Sequence, residues 1–206
     1  MKWLKEWGTK TREIIASPKG FYEQIDRKDN YSYPVKFAVT SGIVAALLIF
    51  IVQELQILLP WTDVPAMGVT GVVSLAIFLA TGMVGGTLGL FLNSAFVHIF
   101  VKIFGFKGFE KTTEAVSYPT SIGAVFGWIP LVNFLAFFYI MYAEIRGIEN
   151  FHDMGLKKAT ASVILSFLLA GLLLFLLLFL PLFFFGAETV APAMETGAEA
   201  PLEVIF

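Results

Sequence analysis

The sequence predicts an all-α fold: a polytopic transmembrane helical bundle of about five spans, preceded by an N-terminal interfacial amphipathic helix. The first observation is composition, because the 206 residues are 57% hydrophobic and 15% charged, with a mean hydropathy of +0.79. Soluble domains carry about 25% charged residues. The second observation is a set of apolar stretches long enough to cross a bilayer. The third is the placement of the basic residues along the chain.

The spans follow from the lengths of the apolar stretches. A bilayer core of about 30 Å takes about 20 helical residues. Residues 66–104 exceed that length, so we expect a tilt, a bend near Gly85 and Gly86, or an end beyond the bilayer. Between them and the last stretch, Pro119 and Pro130 interrupt an apolar region that divides into two short spans. The predicted spans are 34–59, 66–104, 113–128, 130–146 and 159–185.

Basic residues predict the sidedness, because loops that stay on the cytoplasmic side keep Lys and Arg. All fourteen fall in three clusters, none of them in the turn at 60–65 or after Pro181. If the clusters share one face, an even number of crossings separates neighbours, so residues 113–146 cross twice or form a re-entrant hairpin. We expect a cytoplasmic N-terminus and an outside C-terminus. The clusters are Lys2, Lys5, Lys10, Arg12, Lys19, Arg27, Lys28 and Lys36; Lys102, Lys107 and Lys111; and Arg146, Lys157 and Lys158.

The two ends of the chain differ in character. Residues 1–33 place Trp3 and Trp7 at helical spacing opposite lysines, which predicts a cytoplasmic amphipathic region with its aromatic residues at the membrane interface. Ser17 and Pro18 then predict the N-cap and first residue of a short second helix. Residues 34–185 form the predicted transmembrane domain. Residues 186–206 hold four Glu and no basic residue, and are expected to be a disordered acidic tail.

Small residues predict where the spans pack, since helices in lipid associate where their backbones can approach closely. Two spans carry such a face. The Leu and Phe residues of the last span are expected to meet lipid. The predicted packing residues are Gly82, Gly85, Gly86, Gly89 and Asn93 in the second span, and Ser162, Ser166 and Ala170 in the last.

Polar residues within spans are costly and mark candidate functional sites. Glu54 and His98 form the candidate polar site; the alternative interpretation places Glu54 at a hydrated rim and His98 on an overhanging helix end. The sequence has no Cys and two His, and it lacks serine-hydrolase, zinc-protease and Walker motifs. We therefore expect no catalytic residues, metal or cofactor. A net charge of -2 without a continuous basic block argues against nucleic acid as a partner.

The region from Gly105 to Pro119, followed by Tyr139 to Ala159, resembles the Yip domain family of five-span membrane proteins. An inner Gly/Phe loop, a Tyr-Pro helix start, a Tyr-rich helix and a Gly- and His-containing loop before a Lys-Ala pair carry the resemblance. Ser17 to Phe21 also resembles the Pro-x-x-Phe start of prokaryotic members. The matching positions are Gly108, Phe109, Tyr118, Pro119, Tyr139, Tyr142, Gly147, His152, Lys158 and Ala159.

The resemblance implies a non-enzymatic integral membrane protein of the short, prokaryotic type. Eukaryotic relatives bind Rab-type GTPases and reticulon-like partners. This chain has a short N-terminal region and no Asp-Leu-x-Gly-Pro motif, so GTPase binding is not expected. Tyr118 and Pro119 are adjacent here and are interpreted as an interfacial helix start.

Two functions remain open from the sequence. The first is a membrane-organising or partner-docking protein that uses the basic, aromatic N-terminus and the inner loops, with the bilayer, a membrane protein or a second copy as partner. The alternative is a small transporter or channel built on the Gly-rich second span, the broken hairpin and the Glu54/His98 region.

Overall fold

The computed structural model describes residues 2–28, 30–57 and 71–195. Within these ranges the fold is all-helical, with no strand. The predicted turn at 60–65 lies outside the described residues. The helices are α1 (Lys2–Ala16), α2 (Pro18–Gln24), α3 (Ser32–Ile57), α4 (Val72–Ile103), α5 (Phe109–Ser117), α6 (Thr120–Phe126), α7 (Pro130–Phe151) and α8 (Leu156–Glu195).

Four helices are long and apolar enough to cross a membrane. The membrane character predicted from composition is therefore confirmed, and four of the five predicted spans overlap these helices. The predicted span 113–128 is the exception, because it consists of two short helices, α5 and α6, joined at Tyr118 and Pro119. The four candidate spans are Ser32–Leu55, Val72–Ile103, Pro130–Phe151 and Leu156–Leu180.

The N-terminal helices begin and end as their sequence dictates. Ser17 ends α1 and caps α2: its backbone is extended and its hydroxyl accepts from the backbone N–H of Gly20 at 3.3 Å, while Pro18 occupies the first helical position. In α1 the side chains of Trp7, Thr11 and Ile14 are buried, at i, i+4 and i+7. One face of α1 is thus covered by protein.

Helices α3 and α4 form an antiparallel pair with close backbone contact. A Cβ added at Gly42 would collide with the carbonyl oxygen of Gly82, and one added at Gly86 would lie 2.7 Å from the carbonyl oxygen of Ala38. Only glycine permits this approach. Helix α4 is continuous through Gly85 and Gly86, and its 32 residues extend about 48 Å, longer than the hydrocarbon core.

The turn between α4 and α5 depends on glycine. Gly105 and Gly108 have φ of +88° and +102°, a region that other residues rarely adopt. Gly108 precedes the first residue of α5, which then packs against α4 and α7. Helix α6 packs against α3 and α7. Gly108, one of the positions that carry the family resemblance, therefore has a backbone conformation that favours glycine.

The chain divides into two compact units, Met1–Ser166 and Phe167–Phe206. The first contains α1 to α7 and the start of α8, where Ala159, Ser162, Val163 and Ser166 are buried on one face. In the second, Leu172 to Leu180 are all exposed. Helix α8 continues to Glu195, so residues 186–195 of the predicted disordered tail are helical, since extending an existing helix costs less than starting one. Residues 196–206 lie outside the described range.

Candidate functional site

The site begins at a break in the helix formed by α5 and α6. Pro119 has no N–H, so the carbonyl of Ala115, four residues earlier, loses its helical donor. The Tyr22 hydroxyl of α2 donates to this carbonyl at 2.6 Å. Tyr22 is 1% exposed, and burial first, with nearby carboxylates second, raises its pKa well above the usual value. A residue 93 positions away thus repairs the broken helix.

Side-chain hydroxyls bond the other carbonyls around the break. The Ser117, Thr120 and Ser121 hydroxyls donate to carbonyls three residues earlier, at 2.6 to 2.8 Å. In a membrane protein such bonds make a proline tolerable inside a helix. Hydroxyl groups therefore bond the carbonyls of Glu114, Ala115, Ser117 and Tyr118 around the break.

Glu114 links α5 to the segment between α2 and α3. Its carboxylate is 1% exposed and accepts the backbone N–H of Lys28 at 3.1 and 2.9 Å and the Tyr118 hydroxyl at 3.0 Å. Two donors, of which the Lys28 N–H is shared by both oxygens, therefore meet this carboxylate. Arg27 reinforces the link, because its guanidinium donates to the carbonyl of Phe151 at 3.0 Å.

Aromatic rings surround Tyr118. Its ring centroid lies 5.0 Å from that of Phe21 and 5.1 Å from that of Phe37, both edge-on. The Lys10 ammonium lies 4.4 Å from the ring centroid of Tyr33. Burial lowers the pKa of Lys10, an effect that the charge of Glu6 opposes. Tyr118 is 0% exposed, so its side chain lies inside the protein.

A second buried carboxyl group, that of Glu144, lies on α7. It is 2% exposed, and its Oε1 accepts from the Asn93 amide of α4 at 2.7 Å. One helical turn further along α7, Gly147 leaves room for the Tyr22 ring, because a Cβ at that position would lie 2.7 Å from the ring. We call Tyr22, Asn93, Glu114, Tyr118 and Glu144 the buried polar cluster.

A second group joins α4, α5 and the residue after α7. The Thr112 hydroxyl lies 2.9 Å from His98 Nδ1 and 2.9 Å from His152 Nε2. Thr112 is fully buried and His152 is 5% exposed. Burial first, then the charges of His98 and Lys111, lowers the pKa of His152 to about 4. His152 is therefore a neutral imidazole at pH 7 that connects elements through one hydroxyl.

No group of three or more His, Asp or Glu in the described ranges could hold a metal ion. The two histidines share a threonine instead of converging on a free space. What these side chains do in the structure is hold α2, α4, α5 and α7 together through buried hydrogen bonds, at the end of the bundle that carries α1 and α2.

The predicted packing residues fall into three groups. Gly82 and Gly86 contact α3, whereas Gly85 and Gly89 are exposed, with no other heavy atom within 4 Å of an added Cβ. Asn93 bonds Glu144. In α8, Ser162 and Ser166 are buried and Ala170 is half-buried.

The two predicted polar residues lie far apart. Phe50 meets Phe78 near one end of the α3–α4 pair, and Glu54 lies further toward that end. His98 lies toward the other end, about 30 Å along α4 from Phe78. The structure does not bring Glu54 and His98 together into one site.

The predicted interface residues contact protein. The indole N–H groups of Trp3 and Trp7 donate to Thr40 and Ser41 of α3 at 2.8 and 3.0 Å. Trp7 is 8% exposed and Pro119 is buried in the α5–α6 break. Trp3 is half-buried, which leaves part of its ring accessible.

Sequence reasoning missed Glu114, Glu144, Thr112 and Tyr22. Glu144 lies inside the predicted span 130–146, so its position was itself a signal of a costly buried acid. Asn93 was identified as a packing residue but not as its partner. For Tyr22 the signal is Pro119, which removes a donor and so requires another.

Four helices long and apolar enough to cross a bilayer, with many exposed Leu and Phe side chains, define an integral, multi-pass membrane protein of the helical class. A model of the Yip1 domain matches residues 12–179, so the chain belongs to the Yip1 domain family, as the resemblance predicted. No curated protein and no solved structure matches the chain. The matched range includes every member of the buried polar cluster.

Proposed function

We propose that this Yip1-family protein is a non-enzymatic, membrane-organising protein that presents α1 and α2 as a rigid cytoplasmic platform. In this proposal the chain crosses the bilayer five times, through α3, α4, the α5–α6 pair, α7 and α8. The N-terminus is cytoplasmic and the C-terminus lies outside. Helix α1 rests at the membrane interface, with anionic lipid as its first partner and a membrane protein or a second copy as a further one.

The observation that carries the proposal is the attachment of α1 and α2 to the membrane helices. Tyr139 of α7 donates to the carbonyl of Ile15 at 2.7 Å, which ties the end of α1 to a candidate span. Trp7 bonds α3, Tyr22 bonds α5, and the Lys28 N–H bonds Glu114. So many buried bonds hold the N-terminal helices in one place, as a docking surface needs.

The outward face of the platform is basic. Lys2, Lys5 and Arg12 are exposed on α1, while Lys19 on α2 is exposed and pairs with Glu23 at 3.7 Å. Each such cation near an anionic membrane surface contributes roughly 1 kcal/mol of attraction. The face that carries Trp7 is occupied by α3, so the basic face is the part of α1 that remains free for lipid or a partner.

Charge also supports the fifth crossing. If the α5–α6 pair did not cross, α7 would lead outward and Lys157 and Lys158 would lie outside, against the positive-inside rule. The predicted span 113–128, which follows Lys111, would extend about 24 Å as a straight helix, somewhat less than the hydrocarbon thickness of about 30 Å.

Reconstitution with matched variants tests the platform. A variant with Lys2, Lys5 and Arg12 replaced by Gln removes the free cations of α1. The control replaces three exposed cations elsewhere, Lys102, Lys107 and Lys157, by Gln. A photoreactive group at Leu4, which is exposed, reports neighbours in liposomes with and without anionic lipid.

We expect wild type and control to form adducts with anionic lipid at Leu4 and to alter vesicle diameter, and the α1 variant to lose both effects. Equal adducts and equal diameters for all three proteins would contradict the proposal. If Leu4 instead formed adducts with a second copy of the chain, and did so without anionic lipid, the partner of the platform would be a second copy and not lipid.

A further inference from the structure

We propose that Glu144 is an intramembrane proton-binding site: a carboxylic acid that keeps its proton and joins α7 to α4 through Asn93. The inference is independent of the docking platform, since it concerns the interior of the helices. Its ligand is the proton itself. Four observations carry it: the burial of Glu144, its few hydrogen bonds, the contrast with Glu114, and the charged groups around it.

Glu144 has far less support than an ionised carboxylate needs. It is 2% exposed and receives one hydrogen bond, from the neutral amide of Asn93 at 2.7 Å. Its second oxygen, Oε2, is buried and has no hydrogen-bond partner in the described part of the chain. A buried charge without a partner costs so much free energy that the group takes up a proton instead.

Glu114 shows the opposite environment in the same protein. It is as deeply buried, yet both of its oxygens accept the Lys28 N–H, and the Tyr118 hydroxyl donates to Oε1. Two buried carboxyl groups in contrasting surroundings take different protonation states. Glu114 has the donors that an ionised carboxylate needs, whereas Glu144 has one donor at Oε1 and none at Oε2.

The charged groups on the packed elements do not compensate Glu144. From α2, Tyr22 lies near, but its hydroxyl donates to Ala115. From α7 itself, the Arg146 guanidinium donates to Glu149 at 2.8 Å and lies 5.3 Å from the Tyr142 ring. From α5, the Glu114 carboxylate accepts from the Lys28 N–H and the Tyr118 hydroxyl, and it supplies no positive charge to Glu144.

Loss of the proton has a structural consequence. An ionised Glu144 would accept one hydrogen bond, from the Asn93 amide of α4, and its Oε2 would need water or a cation. Release of the proton therefore requires water or a cation to reach Oε2, or the bond from Asn93 to break. Binding and release at Glu144 thereby couple proton concentration to the hydrogen bond that links α7 to α4.

Infrared difference spectroscopy of the full chain in lipid nanodiscs tests the assignment. The signal is the carbonyl stretch of a protonated carboxylic acid at neutral pH, which shifts on exchange into D₂O. Glu144→Gln keeps the size of the side chain and an oxygen for Asn93, and it should abolish the signal. The matched control is Glu114→Gln, which should leave the signal unchanged.

A second variant keeps the test valid if Glu144→Gln does not fold. Asn93→Ala removes the single donor to Oε1, so it should preserve the acid signal but move it to higher frequency. Three results would overturn the assignment: no acid signal in wild type, the same signal in Glu144→Gln, or a signal that Asn93→Ala leaves unmoved. A wild-type signal that appears only when Na⁺ is removed would also overturn it, because the group would then be a carboxylate holding a cation.

Discussion

Tyr22 illustrates how one side chain can compensate for the chemistry of another far away in the sequence. Pro119 deletes a main-chain donor, and the Tyr22 hydroxyl, 93 residues before Ala115, supplies a replacement. The same ring fills the space that Gly147 leaves open on α7. The tyrosine thus connects α2, α5 and α7, and its hydroxyl and its ring can be tested separately.

Tyr22→Phe should destabilise the protein by about 1 to 3 kcal/mol, because the Ala115 carbonyl remains buried without its hydroxyl donor while the ring packing is kept. The measurement is the free energy of unfolding in mild detergent with added denaturant. Tyr31→Phe is the control, since Tyr31 is 43% exposed and should change stability little. Equal stabilities for both variants would contradict the role given to the hydroxyl.

The buried residues show what sequence reasoning could and could not predict. Composition and periodicity predicted which segments are apolar and that Ser17 caps α2, because these depend on neighbouring residues. They did not identify Glu144 or Glu114 as the buried acids, since burial there is created by Tyr22, Asn93 and Lys28 arriving from other elements. Glu54, chosen for its depth in a span, lies beyond the Phe50–Phe78 contact near one end of the α3–α4 pair, away from these residues.

Helix α4 carries two pairs of glycines, and only one pair contacts α3. Gly82 and Gly86 face α3 at backbone contact distance, whereas Gly85 and Gly89 face open space. The sequence predicted one packing seam containing all four. It could not separate them, because four glycines so close in sequence cover a wide arc of a helix, and the position of α3 decides which of them are covered.

Adjacent residues therefore give a sharp prediction. Gly86→Ala should destabilise the α3–α4 pair by roughly 1 to 3 kcal/mol, because its Cβ would lie 2.7 Å from the Ala38 carbonyl oxygen. Gly85→Ala should be neutral or stabilising by up to about 1 kcal/mol, since alanine favours the helix. Thermal unfolding in one detergent compares the two directly. The interpretation of two glycine pairs fails if Gly85→Ala is the more damaging change.

For the whole molecule, the number of crossings and the direction of the chain are one question. Four helices are long enough to span alone, and the α5–α6 pair decides where everything after it lies. From the basic clusters, the sequence predicted that residues 113–146 cross twice or form a re-entrant hairpin. It could not predict the hydroxyls that bond the carbonyls near Pro119, because the Tyr22 hydroxyl comes from a distant part of the chain.

Single cysteines can locate each segment, since the chain has none of its own. Five crossings predict that a membrane-impermeant maleimide added to intact cells labels Trp128→Cys, and that Lys107→Cys and Lys157→Cys react only after permeabilisation. The three positions are exposed, so accessibility reflects the side of the membrane. If α5 and α6 turned back without crossing, Trp128→Cys would stay protected and Lys157→Cys would react in intact cells. That pattern would place two lysines outside and reverse the assigned location of the α8 end of the chain.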